Sequence, residues 1–109
     1  MFVLCLTPSA AGAATTYALK VAGVDVTSDN CNDLSTIAGV TGTVKYDDAT
    51  KTLTLQDATI NSANDDGINS KIDGLKIQVN GSNTISAYYD AIGLYANGTI
   101  TGTGTLNLS

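Results

Sequence analysis

Residues 64–85 read NDDGINSKIDGLKIQVNGSNTI, and this stretch decides the fold. Its second half contains the run LKIQVN, in which apolar and polar residues alternate. Alternation with a period of two is typical of a β-strand that buries one face. Glycine, asparagine and aspartate recur between the apolar runs, as they do at tight turns. The stretch therefore predicts short strands joined by turns, and it places an acidic pair, Asp65 and Asp66, at one of those turns.

The same pattern returns along the second half of the chain with a period of about 21–25 residues. Repeats of this length cannot each bury their own apolar face, so they stack on one another. The pattern predicts an all-β protein in which N-terminal β-hairpins cap a short parallel β-helix. The expected matches between successive coils are Leu53 with Ile77, Leu55 with Val79, Ile60 with Ile85, Asp66 with Asp90, Ile68 with Ile92, and Gly81 with Gly102.

Stacking also assigns a side to each strand residue, because successive side chains point to opposite faces of a strand. The residues expected to point mostly inward are Ile60, Ile68, Leu75, Ile77, Val79, Ile85, Ile92, Leu94, Ile100, Leu106 and Leu108. The residues expected to point outward are Lys76, Gln78, Thr99, Thr101 and Asn107. Corners with positive φ are expected at Gly67, Gly74, Asn80-Gly81 and Asn97-Gly98.

The first half of the chain predicts a different arrangement. Residues 14–52 predict two β-hairpins that form an N-terminal cap, separated by an irregular segment, residues 27–42, with one short helical turn. Residues 53–109 predict the stacked coils. Because the sequence stops directly after a strand without a polar cap, we expect further coils beyond residue 109.

The first 13 residues differ in composition from the rest. A short apolar run is followed by Pro8 and by small residues that end in Ala11-Gly12-Ala13, which resembles a signal-peptidase site. We interpret residues 1–13 as the end of a secretory signal peptide that lacks its basic start, and the alternative is an apolar N-terminal strand. Export predicts a secreted or cell-surface protein. After cleavage Cys31 would be the one remaining cysteine, so we expect a small buried residue without an internal disulfide.

Charge and composition narrow the classes of partner. The chain has 109 residues, enough for one small domain, and its ten acidic residues outnumber five basic ones to give a net charge of −5. Nucleic-acid affinity comes largely from lysine and arginine on phosphates, so a nucleic-acid partner is not expected. The apolar runs are too short to cross a bilayer. The chain has no histidine, which excludes a cysteine–histidine catalytic pair.

The hairpin VKYDDATKTLTLQDATI, the run NDDGINSKIDGLKIQVNGSNTI and the run AIGLYANGTITGTGTLNLS together resemble a family of secreted bacterial carbohydrate-binding-domain proteins. The resemblance covers residues 17–109 and is strongest over 43–109. It implies a right-handed parallel β-helix and calcium-dependent binding of acidic polysaccharide. Asp65, Asp66 and Gly67 match the acidic turn of that family. The second copy of the turn, Tyr89-Asp90-Ala91, departs from it because it has one aspartate and no glycine.

The acidic corner admits two interpretations. Calcium prefers six to eight oxygen ligands, and the corner offers Asp65, Asp66, Asn64 and Asn69, with Asp90 expected one coil away. Stacked carboxylates also repel unless a cation or N–H donors neutralise them. The simpler interpretation is that the aspartates accept hydrogen bonds from turn amides in a solvated corner.

Tyr88, Tyr89 and Tyr95 lie near the second copy of the corner. Aromatic faces beside hydrogen-bonding Asn and Asp side chains are what a sugar site needs, and the alternative is ordinary packing of tyrosines over a coil edge. An enzyme is not expected: there is no arginine or histidine base, and Asp66 and Asp90 in one row would lie too close for an inverting pair. Two functions therefore remain, a carbohydrate-binding domain, with or without calcium, and a structural stalk or adhesin-like repeat.

Overall fold

The computed structural model describes residues 14–109, and the predicted signal peptide, residues 1–13, lies outside this range. Within it the protein is all-β, with a single 3₁₀ turn at Leu34–Thr36. The strands are β1 Thr16–Val21, β2 Val24–Thr27, β3 Val40–Asp47, β4 Thr52–Ser62, β5 Ile68–Ser70, β6 Leu75–Asn80, β7 Ser82–Ala87, β8 Ile92–Leu94, β9 Gly98–Gly102 and β10 Thr105–Leu108. No helix in residues 14–109 is long and apolar enough to cross a membrane.

Two antiparallel hairpins form the first half, as predicted. β1 pairs with β2 around Ala22 and Gly23, which both have positive φ, 50° and 80°. β3 pairs with β4, with Tyr46 opposite Leu53. The turn of the second hairpin is held by the carboxylate of Asp47, whose Oδ1 accepts the N–H of Ala49 at 3.0 Å. The irregular segment between the hairpins contains the predicted short helical turn.

The second half forms three parallel ladders. β4 pairs with β6 through its first part and with β7 through its last part, and β5 pairs with β8. β9 continues the first ladder beside β6, and β10 continues the second beside β7. The predicted matches of Leu53 with Ile77, of Ile60 with Ile85 and of Ile68 with Ile92 are confirmed by the register.

One predicted match is wrong. Gly81 and Gly102 were expected to align, which would place Leu106 beside Ile85. The register instead pairs Ser82 with Thr105 and Ile85 with Leu108, a spacing of 108 − 85 = 23 residues. The error arose because Gly102 lies opposite Val79, two residues before Gly81, and the strand register is set by which side chains face the interior.

The hairpins lie against one side of the ladders. β1 pairs antiparallel with β5, with Leu19 opposite Ser70, and β3 pairs antiparallel with the side of β4 that faces away from β6 and β7. The strand orders are therefore β2-β1-β5-β8 in one sheet and β10-β7-β4-β6-β9 in the other, with β3 beside β4. This arrangement leaves β8, β9 and β10 at sheet edges.

The core lies between these sheets, and each fully buried Leu or Ile contributes about 1.5–3 kcal/mol relative to an exposed one. The predicted inward residues that are buried are Ile60, Ile68, Leu75, Ile77, Val79 and Ile85. Leu94, Ile100 and Leu108 lie in register with the buried residues Ser70, Ile77 and Ile85, so they point the predicted way, but they are 38%, 48% and 50% exposed. Ile92 and Leu106 are half-buried. These five belong to edge strands, where the described chain covers one side alone.

The corner glycines are also only partly as predicted. Gly74 and Gly81 have positive φ, 88° and 73°, but Gly67 and Gly98 do not. Gly67 is required for space: a Cβ there would collide with Ile85 Cγ2 and lie 2.6 Å from the carbonyl oxygen of Ala91. The absence of a side chain lets the acidic corner lie directly against the next coil.

The expectation for Cys31 is half right. The residue is fully buried, as predicted. It is disulfide-bonded rather than the lone thiol expected after cleavage. The prediction of no internal disulfide rested on cleavage near Ala13, which the described part of the chain does not include.

Candidate functional site

The acidic corner and the tyrosines come together where the chain leaves β4 and, one coil later, where it leaves β7. The backbone carbonyl of Asp65 accepts the N–H of Tyr88 at 3.2 Å and the N–H of Tyr89 at 3.5 Å. Gly67 donates its N–H to the carbonyl of Asp90 at 2.9 Å. Backbone hydrogen bonds thus bring the two copies of the corner, predicted separately from the sequence, into one site.

Asp66 ties the two copies together through its side chain. Its carboxylate is buried, with 5% of the residue exposed. Oδ1 accepts the backbone N–H of Asp90 at 2.9 Å, and Oδ2 accepts the side-chain amide of Asn69 at 3.1 Å. The neighbouring Asp65 Oδ1 accepts the N–H of Asp66 at 2.8 Å. A buried carboxylate is stabilised by such charge-assisted hydrogen bonds, so the geometry supports the interpretation of the acidic pair as a turn device.

The same hydrogen bonds use part of the acceptor capacity that a calcium site would need. Both oxygens of Asp66 already accept N–H groups, and the Asn69 amide nitrogen faces Asp66 as a donor. Asp90 is exposed, and Asn64, also exposed, lies at the rim. Within residues 14–109 no group of three or more acidic, histidine or cysteine side chains converges as metal ligands. A hydrogen bond from the Asp90 N–H to Asp66 joins the stacked aspartates, and calcium binding stays a prediction.

Tyr88 and Tyr89 form an exposed aromatic pair. Their ring centroids lie 4.7 Å apart with the planes at 69°, an edge-to-face contact. The two residues are 66% and 68% exposed. Edge-to-face packing holds each ring against the other, so the faces that remain are oriented rather than freely rotating.

Tyr95 extends this surface across the next strand. Its backbone N–H donates to the carbonyl of Ser70 at 2.8 Å, and its ring lies over Gly93. A Cβ on Gly93 would come within 3.2 Å of Tyr95 Cε2 and 3.0 Å of Asp66 Oδ2. The absence of a side chain at Gly93 therefore lets an exposed tyrosine approach a buried carboxylate.

The charge of the corner acts on the Tyr95 hydroxyl. The negative charge of Asp66 is the largest cause that raises the pKa of Tyr95 above its usual value. Loss of hydration, the charge of Asp90, a hydrogen bond to Asp66 and the charge of Asp65 raise it further. The three tyrosines and the three aspartates therefore form one surface, which we call the tyrosine corner: Asp65, Asp66, Tyr88, Tyr89, Asp90 and Tyr95.

A groove of about 550 Å³ is lined by Asp65 and by the β1–β2 turn residues Ala22 and Gly23. Its lining consists of small residues, together with Asn61, Asn64 and Asp65. None of these lining residues is aromatic, so the groove lacks a face on which a sugar ring could stack. The tyrosine corner is accordingly the better candidate for binding.

Sequence reasoning missed Asn83, which is 1% exposed. Its Oδ1 accepts the N–H of Ala58 at 2.9 Å, and its Nδ2 donates to the carbonyls of Asn80 at 3.0 Å and Thr105 at 3.1 Å. One amide thus joins three successive coils below the corner. The signal was present in the alternation: a polar residue occupies an inward position two residues before Ile85.

No protein-family model, no curated protein and no solved structure matches this chain. The resemblance to carbohydrate-binding-domain proteins therefore stays a prediction, and the function is argued from the tyrosine corner.

Proposed function

We propose that this protein is a secreted or cell-surface carbohydrate-binding domain without catalytic activity, and that it binds its ligand at the tyrosine corner. We also propose that residues 53–109 wind as a right-handed parallel β-helix. Three parallel ladders with a spacing of 23–25 residues support the winding. Parallel crossovers are right-handed in about 98% of known cases, which supports the hand.

A single observation carries the binding proposal: three exposed tyrosines meet at a corner that the backbone and a buried carboxylate hold in place. Tyr88, Tyr89 and Tyr95 are each more than half exposed. The apolar area of an exposed aromatic ring is removed from water only when another molecule covers the ring. A sugar ring offers apolar C–H faces to the tyrosines and hydroxyls to the carboxylates. The Asp66 hydrogen bonds keep these groups oriented, which lowers the entropy lost on binding.

Calcium is not part of this proposal, because both Asp66 oxygens already accept protein N–H groups. An acidic polysaccharide would need a cation to bridge it to the carboxylates of the corner. The ligand class is therefore taken up separately below.

The experiment is isothermal titration of the full 109-residue chain with four soluble hexasaccharides: cellohexaose, hexa-N-acetylchitohexaose, hexaglucosamine and hexagalacturonate. We expect at least one to bind, and Tyr88→Ala or Tyr89→Ala to weaken that binding about fivefold. An aromatic contact contributes about 1 kcal/mol, which corresponds to this change. Ile100→Ala is the matched control, because it also truncates a half-exposed apolar residue but lies in β9, outside the corner.

Two outcomes would contradict the proposal. One is that none of the four hexasaccharides binds to a chain whose circular dichroism shows it folded. The other is that a hexasaccharide binds and the tyrosine variants bind it as tightly as Ile100→Ala does. In either case the tyrosines would be surface residues without a ligand.

A structural stalk or adhesin-like repeat is the second candidate. The observation that favours it is the regular register. Leu53, Ile77 and Ile100 stack in one row, and this row does not include residues of the corner. A stack of this kind can serve as a spacer. If none of the four hexasaccharides binds to the folded chain, the spacer function is the better account.

A further inference from the structure

The tyrosine corner carries negative charge on the rim where a ligand would lie. Asp90 is exposed and directly follows the Tyr88–Tyr89 pair, and Asp66 lies beneath Tyr95. Asp65 is half-buried at the other side of the tyrosine pair, to which its carbonyl is hydrogen-bonded. The negative charges of all three aspartates thus act at Tyr95, beside the exposed tyrosine pair. The whole chain adds to this field, with a net charge of −5.

The lysines of this face do not reverse that sign. Lys20 lies opposite Asn69 in β5 on one side, and on its other side it lies opposite the acidic residue Asp25 in β2. Lys71 directly follows β5, and Tyr95 follows β8 one coil later. The raised pKa of Tyr95 has the charges of Asp66, Asp90 and Asp65 among its causes and no lysine. Negative charge therefore dominates at the Tyr95 hydroxyl.

A charge of this sign discriminates between classes of glycan. A uronic-acid chain would bring carboxylates against Asp90, and like charges at a contact are unfavourable. A protonated amine is attracted by the carboxylates, and it also gains a cation–π contact on a tyrosine face, worth about 0.5–1 kcal/mol at an exposed site. Both Asp66 oxygens already accept N–H groups. We therefore do not expect a bound cation to reverse the negative charge of the corner.

We propose that the tyrosine corner selects glycans that carry protonated amino groups, such as glucosamine polymers, over neutral and acidic glycans. The inference rests on the proposed carbohydrate-binding function and deepens it by naming the ligand class. It differs from the expectation of an acidic polysaccharide that the sequence resemblance implied. The carboxylate of Asp90 is the residue that most directly faces the ligand amine.

The test is titration of the full chain with hexaglucosamine, hexa-N-acetylchitohexaose and hexagalacturonate at about pH 5.5. The first two probes share a sugar backbone and differ in the charge of the amino group. The ratio of their dissociation constants therefore isolates the effect of that charge. We expect hexaglucosamine to bind at least fivefold more tightly than its acetylated form, and hexagalacturonate to bind most weakly. The preference should decrease as salt is raised, because exposed charges are screened.

Two variants assign the preference to the corner. Asp90→Asn should reduce the hexaglucosamine preference about fivefold, as expected for removing one charge at contact distance in water, worth about 1 kcal/mol. Asp29→Asn changes the net charge by the same amount in the exposed turn after β2, and it should leave the preference unchanged. Tyr88→Ala should weaken binding of hexaglucosamine and also of its acetylated form, because both lose the contact of a sugar ring with the tyrosine.

The outcomes separate the two proposals. If a neutral or acidic hexasaccharide binds as tightly as hexaglucosamine and Tyr88→Ala weakens it, the corner binds carbohydrate and the amine selectivity is wrong. If hexaglucosamine binds but neither Tyr88→Ala nor Asp90→Asn changes its affinity, the attraction is to the net charge of the chain, and the inference is overturned. If none of these probes binds, the proposed function fails and the inference fails with it.

Discussion

Among single residues, Asp66 explains how a charged side chain can lie inside a small β-fold. Removing a carboxylate from water is unfavourable unless hydrogen bonds replace the water. Asp66 receives two such bonds, one from a backbone N–H in the next coil and one from Asn69. Because one of these donors belongs to the following coil, the side chain both satisfies its own charge and fixes the position of the tyrosines above it.

Replacing Asp66 should therefore lower stability in a graded way. Asp66→Ala leaves the Asp90 N–H without its acceptor, and we expect the free energy of unfolding to fall by about 2–3 kcal/mol. Asp66→Asn keeps one acceptor oxygen for that N–H, so the loss should be about half as large. Urea unfolding followed by circular dichroism measures both, with Asp29→Ala as an exposed control.

The same urea unfolding experiments test whether the folded protein binds calcium. Because the carboxylate is engaged by N–H donors, we expect wild-type protein to unfold at the same urea concentration in calcium and in chelator. A calcium-dependent increase in stability that is lost in Asp66→Asn would show a metal site at the corner, because a ligand that binds the folded state stabilises it.

Tyr46 makes stability depend on alkaline pH. Burial is the largest cause that raises the pKa of Tyr46, followed by the hydrogen bond from its hydroxyl to Asp48 Oδ1, 2.7 Å long, and by the charge of Asp48. A pKa that is higher in the folded than in the unfolded chain means full stabilisation below the unfolded value, about 10, and a loss as pH rises above it. We expect the urea midpoint of wild type to fall from about pH 10 upward.

Tyr46→Phe should flatten this alkaline decrease. At neutral pH the variant should lose about 1 kcal/mol, the contribution of one hydrogen bond. Tyr88→Phe, which removes a hydroxyl from an exposed ring, is the control and should follow wild type. An alkaline decrease in Tyr46→Phe as steep as that of wild type would assign the effect to other groups, such as Tyr17, whose pKa burial also raises.

At the scale of elements, β7 joins the coils through Asn83 as well as through its backbone. The side-chain amide bonds Ala58 in β4 and Thr105 in β10, the strands on either side of β7. Such a group is favourable only when all of its donors and acceptor are paired, and here the acceptor oxygen has one partner and the amide nitrogen has two.

Asn83→Ala should lower the free energy of unfolding by about 2–4 kcal/mol, because it leaves the buried N–H of Ala58 without an acceptor and opens a small cavity. Asn107→Ala, an exposed asparagine in β10, is the matched control and should change stability by less than about 0.5 kcal/mol. Guanidinium unfolding at two wavelengths measures both. If Asn83→Ala were as stable as Asn107→Ala, the hydrogen bonds of the Asn83 amide would make no net contribution to the free energy of unfolding.

The strand elements also show what a single sequence can predict. Leu53 and Ile77 were matched correctly because apolar residues in strands must stack to stay buried. The match of Gly81 with Gly102 failed because a glycine indicates a corner but does not fix which residues of successive corners lie in register. The turn interpretation of Asp66 followed from its residue type and position, whereas Asn83 was missed because an amide at an inward position shows its purpose only when its three partners are known.

At the scale of the whole molecule, pairing is uneven across the stack. β4 has strands on both sides, with β3 on one and β6 and β7 on the other. β9 and β10 each pair on one side, and all five residues of β9 are exposed. Because local opening requires less energy where fewer contacts are lost, stability should decrease from the hairpins towards the last coil of the described chain. The tyrosine corner spans the coil that contains β4 and the next one, so its stability should lie between the two extremes.

Hydrogen exchange measured by mass spectrometry tests this gradient in the 109-residue chain. After correction for intrinsic rates, we expect peptides from β4 to exchange at least 100-fold more slowly than peptides from β9 and β10, a difference of about 3 kcal/mol in opening free energy. Asn83→Ala should speed exchange in β10 more than Asn107→Ala does, because Asn83 bonds the carbonyl of Thr105. Uniform protection of β4, β9 and β10 would mean that the stack opens as one cooperative unit. The corner would then be as rigid as the core, and the end coil would have no independent motion.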